Sequence, residues 1–241
     1  MIAAVQSYPA NLKQPRHCHD TMSVTLVLAG TLRERVGGIE ETAGPLSLVI
    51  KPVAVDHETC FGATSTRTIQ VLLDPREADE LTRIQPAARE WGWIHQGPFV
   101  RPFLELARAV RAGEPAAIEL AMLDALAAVG SLPGPRGKLP AVIRSVQEHL
   151  DEPVVPRISR LAREAGLHPV SLARVFRRWF GMTMTQYARR SRVRRVISRL
   201  TPGVSLSAVA YETGFADQAH LCRIFRAETG FTPSGYRRLC T

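Results

Sequence analysis

Apolar positions recur along this chain in two rhythms. Through residues 1–75 they come in short alternating or continuous runs: Val24-Thr-Leu-Val-Leu-Ala-Gly30, Thr31-Leu-Arg-Glu-Arg-Val36, Leu46-Ser-Leu-Val-Ile50 and Thr68-Ile-Gln-Val-Leu-Leu73. Gly30, Gly37-Gly38, Gly44-Pro45 and Lys51-Pro52 interrupt them. Runs of this length bounded by turn formers predict strands, and their number predicts a small β-barrel. From residue 75 to 130 the period lengthens. Phe103, Leu104, Leu106, Ala107 and Val110, then Ile118, Ala121, Met122, Ala125, Leu126 and Val129, recur at helical spacing. The second of these stripes is apolar enough to require a partner surface. Ser131-Leu-Pro-Gly-Pro-Arg-Gly-Lys-Leu-Pro140 resists both helix and strand and reads as a linker. The predicted division is therefore a domain over 1–130 with its helical part at 75–130, a linker at 131–140, and a second domain over 141–241.

The second domain is helical and repeats itself. Leu161-Ala-Arg-Glu-Ala-Gly-Leu167 matches Val209-Ala-Tyr-Glu-Thr-Gly-Phe215 at an offset of 48 residues. Leu172, Arg174, Phe176, Gly181, Thr183 and Tyr187 then match Leu221, Arg223, Phe225, Gly230, Thr232 and Tyr236 at an offset of 49. Each copy reads as helix, tight turn, helix, with Gly166 or Gly214 closing the first helix. Ile158, Leu161, Ala162 and Ala165 pack inward in one copy, and Leu206, Val209 and Ala210 in the other. The second helices bury Leu172, Val175, Phe176 and Trp179, and Leu221, Ile224 and Phe225. Their outer faces carry Val170, Ser171, Ala173, Arg174, Arg177 and Arg178, and Gln218, Ala219, Cys222, Arg223 and Arg226. Short side chains mixed with arginine let a helix lie close in a major groove, so the physical reading is two helix-turn-helix units.

Charge supports that reading. The chain carries +9 overall, yet residues 1–139 hold 14 basic and 15 acidic groups, while residues 140–241 hold 17 and 7. All 17 of those cations are arginine, whose planar fork suits phosphate oxygens and guanine edges. Double-stranded DNA is the partner this implies.

Gly214-Phe-Ala-Asp-Gln-Ala-His-Leu-Cys-Arg-Ile-Phe-Arg226, followed by Gly230-Phe-Thr-Pro-Ser-Gly-Tyr-Arg237, resembles the signature of the AraC/XylS family of bacterial transcription regulators. The resemblance covers residues 140–240. It implies seven helices, with two helix-turn-helix units joined by one long helix over about Thr183 to Leu200. It also implies recognition helices entering successive major grooves about 34 Å apart. Carried over, the base readers are Val170, Ala173 and Arg174 in the first unit and Gln218, Ala219 and Arg223 in the second. Arg177, Arg178 and Arg226 are the phosphate clamps. The small Val170 and Ala173 leave the first helix reading methyl groups and DNA shape. Val196 stands where the family usually has alanine, which implies altered packing in the linking helix. Cys222 falls on the DNA face as a small side chain, with oxidant sensing the alternative.

Before the first strong strand stands His17-Cys-His19, and after the hairpin come Gly44-Pro45 through Pro52 to His57. Together these resemble the two cupin motifs, and such barrels are the usual sensing domain of this family. The expected fold class is thus two-domain α+β: an N-terminal cupin-like β-barrel with appended helices and a C-terminal all-α domain with two helix-turn-helix units. His17 and His19, two apart on a strand, would face the same way, with His57 joining them across the sheet. The glutamate that follows the second histidine in metal cupins is replaced by Ser23 and Val24, although Cys60 offers a substitute ligand. Candidate effector-binding residues are therefore His17, His19, His57 and Cys60. No cofactor is assigned, with a divalent transition metal on His17, His19 and His57 left open. Trp91 and Trp93 are candidates for the pocket mouth, with packing in the core the alternative.

The expected function is a ligand-responsive, sequence-specific, DNA-binding transcription regulator and not an enzyme, with activation the commoner mode in the family. Its expected partners are DNA, a small-molecule effector, RNA polymerase and a second copy of the chain. Two alternatives stand beside this reading. One is a regulator triggered by metal or redox chemistry at His17, His19, His57 and Cys60, and the other is a cupin enzyme with a DNA-binding tail. Four scattered cysteines without a CxxC pair argue against a zinc ribbon and for free thiols. No apolar run approaches the ~20 residues of a membrane span. The first ten residues lack a basic region leading into an apolar stretch, so a cytoplasmic protein is expected.

Overall fold

The structure is a computed structural model and describes residues 1–95, 97–132, 139–201 and 203–240. It divides into two compact units, Met1–Leu132 with Ser234–Thr241, and Pro133–Pro233. Most of the expected linker, residues 133–138, lies outside the described residues.

The first unit is built on two antiparallel sheets. Strands β1 (Ile2–Tyr8), β3 (Met22–Ala29), β6 (Leu48–Lys51), β8 (Thr66–Leu73) and β9 (Gly92–Ile94) form one in the order β1-β8-β3-β6-β9. Strands β2 (Lys13–His17), β4 (Leu32–Val36), β5 (Ile39–Ala43) and β7 (His57–Phe61) form the other in the order β2-β7-β4-β5. The expected barrel is thus realised as two facing sheets, with no strand ladder joining them among the described residues.

Strand β3 is buried on both faces because it is central. Val27 meets Leu32 and Phe61 of the opposite sheet, with Tyr8, Leu12 and Trp93 packed around them. By the period of two, Ser23 and Thr25 share that inward face with Val27. So do their register partners Lys51 and Val49 on β6.

Helix α1 (Pro75–Ile84) starts from a capping box in which Asp74 and Glu77 satisfy each other's backbone N–H groups. After a short 3-10 turn, helix α2 (Val100–Ala112) buries Phe103, Leu104, Leu106 and Ala107 beside β1, β3 and β8. Helix α3 (Pro115–Gly130) packs against α2. Its buried residues are Met122, Ala125 and Val129, members of the stripe expected to require a partner surface. Packing on α2 uses that stripe within the chain and leaves Leu120 and Leu123 exposed on another face.

The second unit contains helices α4 (Ala141–Leu150), α5 (Ile158–Glu164), α6 (Pro169–Phe180), α7 (Met184–Arg199), α8 (Leu206–Glu212) and α9 (Gln218–Thr229). Ile143, Val146 and Leu150 of α4 join Leu161, Ala162, Leu172, Phe176 and Tyr187 in one core. Helix α7 is the expected long connection, opened by a capping box between Thr183 and Gln186. The Tyr187 phenol donates to Asp151, and Arg195 donates to the Asp151 carbonyl, fixing α7 to the end of α4.

A seventh helix, α10 (Pro233–Leu239), completes the expected number, but from Ser234 onward it groups with the first unit. The buried phenol of Tyr236 donates to the Leu28 carbonyl at 2.7 Å, which accounts for that grouping.

Candidate functional site

The internal repeat of the sequence is a repeat of backbone geometry. Gly166 and Gly214 both take the left-handed conformation, at φ 64° and 77°. In each turn the next residue's N–H returns to the helix it has just left: Leu167 to the Ala162 carbonyl and Phe215 to the Ala210 carbonyl, both at 2.9 Å. That is the hydrogen bond of a glycine-closed helix end, and it aims the following helix in the same way twice. Helix α6 then begins at Pro169, with the His168 ring accepting the Val170 N–H at 3.3 Å. Helix α9 begins with the Asp217 carboxylate accepting the His220 N–H at 2.6 Å. Leu172 and Phe176, and Leu221 and Phe225, are fully buried and fix the rotation of each helix about its axis.

That rotation leaves the opposite faces in solvent. Val170, Ser171, Ala173, Arg174, Arg177 and Arg178 are exposed on α6, and Gln218, Ala219, Arg223 and Arg226 on α9, while Cys222 is half-buried. Elsewhere in the unit arginines are committed to carboxylates, as in Arg160–Glu164, Arg190–Glu228 and Arg199–Glu212. Among the described residues no ion pair involves Arg174, Arg177, Arg178, Arg223 or Arg226. Five exposed guanidinium groups without a protein counterion, on two equivalent helices, form a surface suited to phosphates and guanine edges.

The first unit has a different chemistry. Strands β2 and β7 pair so that His17 stands opposite His57, and the turn beyond β2 is tied down by the Ala54 N–H donating to the His19 carbonyl. The three imidazoles gather: ring centroids are 4.3 Å apart for His17–His57, 4.9 Å for His17–His19 and 5.1 Å for His19–His57. Burial, then the Lys51 charge, lowers the His57 pKa from the ordinary imidazole value; burial, then His17, lowers that of His19.

Deeper in, Glu34 is completely buried. It forms an ion pair with Lys51 and accepts from the Trp91 indole at 2.7 Å and from Thr59 at 3.3 Å. The ring of His95 bridges Glu41 and Ser47 at 2.8 and 3.1 Å. Ser23 Oγ, Thr25 Oγ1 and Trp93 Nε1 are buried with no hydrogen-bond partner among the described residues.

Cys60 does not join the histidines. It lies three residues beyond His57 on β7, hence on the opposite face, in a shallow groove with Lys13, Arg33, Arg35, Glu40 and Glu58. Cys60 therefore does not stand in for the missing fourth ligand. Glu34, Lys51 and His95 escaped the sequence reading. Parity from Leu32 was the available signal for Glu34, masked by the flanking Arg33 and Arg35.

A helix-turn-helix domain model matches residues 161–239. The regulatory protein SoxS of Salmonella typhimurium is 31% identical over 97 residues, which cover 40% of this chain and 89% of SoxS. The chain belongs to the AraC/XylS family of transcription regulators. As a member of this family it is a DNA-binding transcription regulator. The uncharacterised helix-turn-helix regulator YijO of Escherichia coli K12 is 28% identical over 102 residues, 41% of this chain and 36% of YijO.

Among solved structures, fatty-acid-bound ToxT of Vibrio cholerae aligns with 99% of this AraC/XylS regulator and 95% of its own chain. That alignment has 13% identity and a TM-score of 0.38. The DNA-binding domain of AdpA in complex with target DNA aligns over 40% of this chain and 86% of that one, with 28% identity and a TM-score of 0.34. No described helix of the regulator is long and apolar enough to cross a membrane.

Proposed function

We propose that this regulator binds a specific DNA site through α6 and α9 and that a small polar effector, held between the two sheets of the first unit, changes that binding. The observation that carries the effector reading is the inward face of β3. Ser23 Oγ and Thr25 Oγ1 are buried there with no partner among the described residues, next to the Glu34–Lys51 pair. An unpaired buried hydroxyl costs ~1–3 kcal/mol, so these positions favour a ligand that brings hydrogen-bonding atoms of its own. An effector acts only through a difference in affinity between DNA-competent and incompetent states. The remaining parts of the reading are activation, contact with RNA polymerase, a homodimer and action in the cytoplasm.

The experiment is recovery and sequencing of genomic fragments retained by the purified full chain near physiological salt, with and without small-molecule extract. The expected motif has two blocks about 10 base pairs apart, one per recognition helix, and its occupancy changes with extract. Absence of any enriched motif under both conditions overturns the reading. Turnover of an extract component abolished by His57→Ala would favour the enzyme alternative.

A further inference from the structure

We propose that His17, His19 and His57 form a binding site for one divalent transition-metal ion of the zinc class. One ring nitrogen from each of the three side chains lies within 4.8 Å of the others, close enough to turn onto a common ion. Two of the rings are already oriented for it. The Nδ1 of His17 lies 2.7 Å from the Pro15 carbonyl and that of His57 lies 3.0 Å from the Val55 carbonyl.

A carbonyl only accepts, so each Nδ1 must carry the proton, and each Nε2 is left with a lone pair. Backbone carbonyls holding the far nitrogen are the outer support that metal-bound imidazoles ordinarily have. The antiparallel register sets this up twice over: His17 faces His57 across the ladder, and each takes its carbonyl from the residue two positions before it.

Three neutral imidazoles suit zinc, copper, nickel or iron and are a poor set for magnesium or calcium, which demand oxygen. The buried carboxylate nearby, Glu34, is engaged by Lys51, Thr59 and Trp91, so the protein set is nitrogen only. Three ligands also leave a coordination position open to water or an anion, as in zinc sites that bind exogenous ligands. The inference concerns the free protein and does not depend on the effector reading.

The test uses the full chain, stripped with chelator and desalted, then titrated with Zn²⁺ and separately with Co²⁺. The expected results are one ion retained per chain after gel filtration and a cobalt visible spectrum without a thiolate charge-transfer band. His17→Gln and His19→Gln should each weaken retention by at least roughly tenfold, a loss of the size seen even for outer support. Because His57 is buried, its replacement can perturb folding; His19 is exposed, so His19→Gln keeps the experiment decisive when far-ultraviolet circular dichroism is unchanged. Cys18→Ser, which removes the exposed thiol between the two histidines, should retain the metal fully.

No retained ion, wild-type retention in both histidine variants, or loss on Cys18→Ser each overturns the proposal. Metal retention is read without DNA, so its failure leaves the DNA-binding reading intact, and a failure to recover a DNA motif leaves the metal result intact.

Discussion

The two helix-turn-helix units share a backbone and differ in what they show to DNA. At the offset of 49 residues, Arg174 and Arg177 of α6 correspond to Arg223 and Arg226 of α9, and the buried Leu172 and Phe176 correspond to Leu221 and Phe225. The remaining outward positions diverge. Pro169 and Val170 stand where α9 has Gln218 and Ala219, Ala173 where it has Cys222, and Arg178 where it has Ala227. The buried residues that set each helix's placement and two of its outward arginines are held in common, whereas the other outward positions differ. Helix α9, with an amide and a guanidinium available to base edges, is suited to discriminate. Helix α6, with three exposed arginines and an exposed valine, is suited to grip phosphate and sense methyl groups.

The largest effects should show the units as equivalent. Phe176→Ala and Phe225→Ala each remove a fully buried ring and should each destabilise by ~3–5 kcal/mol in denaturant unfolding. A loss near that size in one and under about 1 kcal/mol in the other would show that only one unit is a packed core. Next come the shared readers. Arg174→Ala and Arg223→Ala should each weaken specific binding by ~1–3 kcal/mol and relax preference at one base position. Measured on a library of site variants, the two relaxed positions should fall in different blocks of the site. An Arg223→Ala protein with unchanged preference everywhere would remove that residue from base readout.

The turn glycines should cost less and cost the same. A Cβ on Gly166 meets nothing within 4 Å, and one on Gly214 meets only the Pro153 carbonyl at 3.6 Å, an ordinary contact. The penalty in Gly166→Ala and Gly214→Ala is therefore that of a left-handed backbone, ~1–2 kcal/mol, in both. Thermal unfolding of the two variants checks this, and a much larger loss at Gly214 would mean that its turn cannot yield as that at Gly166 does.

How far the sequence foretold these features depends on how local their causes are. The C-terminal repeat was legible because each part of it is specified within a few residues: a glycine that closes a helix, a proline or aspartate that opens the next, apolar residues at helical spacing. Strands β3, β4, β6 and β8 were legible for the same reason. Strands β1, β2, β5, β7 and β9 were not named individually; Ile2–Tyr8 and Lys13–His17, for instance, bury no residue and carry no clean alternation.

Buried Glu34 was missed because its partner Lys51 comes from another sheet, and only long-range packing brings them together. Helix α10 shows the limit most clearly. Its Thr-Pro-x-x-Tyr-Arg sequence belongs to the helix-turn-helix pattern, yet the Tyr236 phenol reaches a carbonyl 208 residues earlier in the chain. The histidine cluster falls between these cases, with the spacing of His17 and His19 readable and the pairing with His57 settled by register.

The smallest expected effect concerns the one outward position where the units differ by a thiol. Cys222 is half-buried on α9, and its counterpart on α6 is alanine, in a helix that ends on the same left-handed glycine and buries the same leucine and phenylalanine. Alanine therefore fits the site, and a surface exchange of this kind ordinarily changes energy by less than about 0.5 kcal/mol. Cys222→Ala should bind the recovered DNA site with wild-type affinity in reductant. It should also match wild type after mild peroxide treatment, because a regulator that senses an effector has no need of this sulfur. If peroxide instead weakens wild-type binding and leaves Cys222→Ala unaffected, the difference between α6 and α9 is a redox switch, and the oxidant becomes the signal.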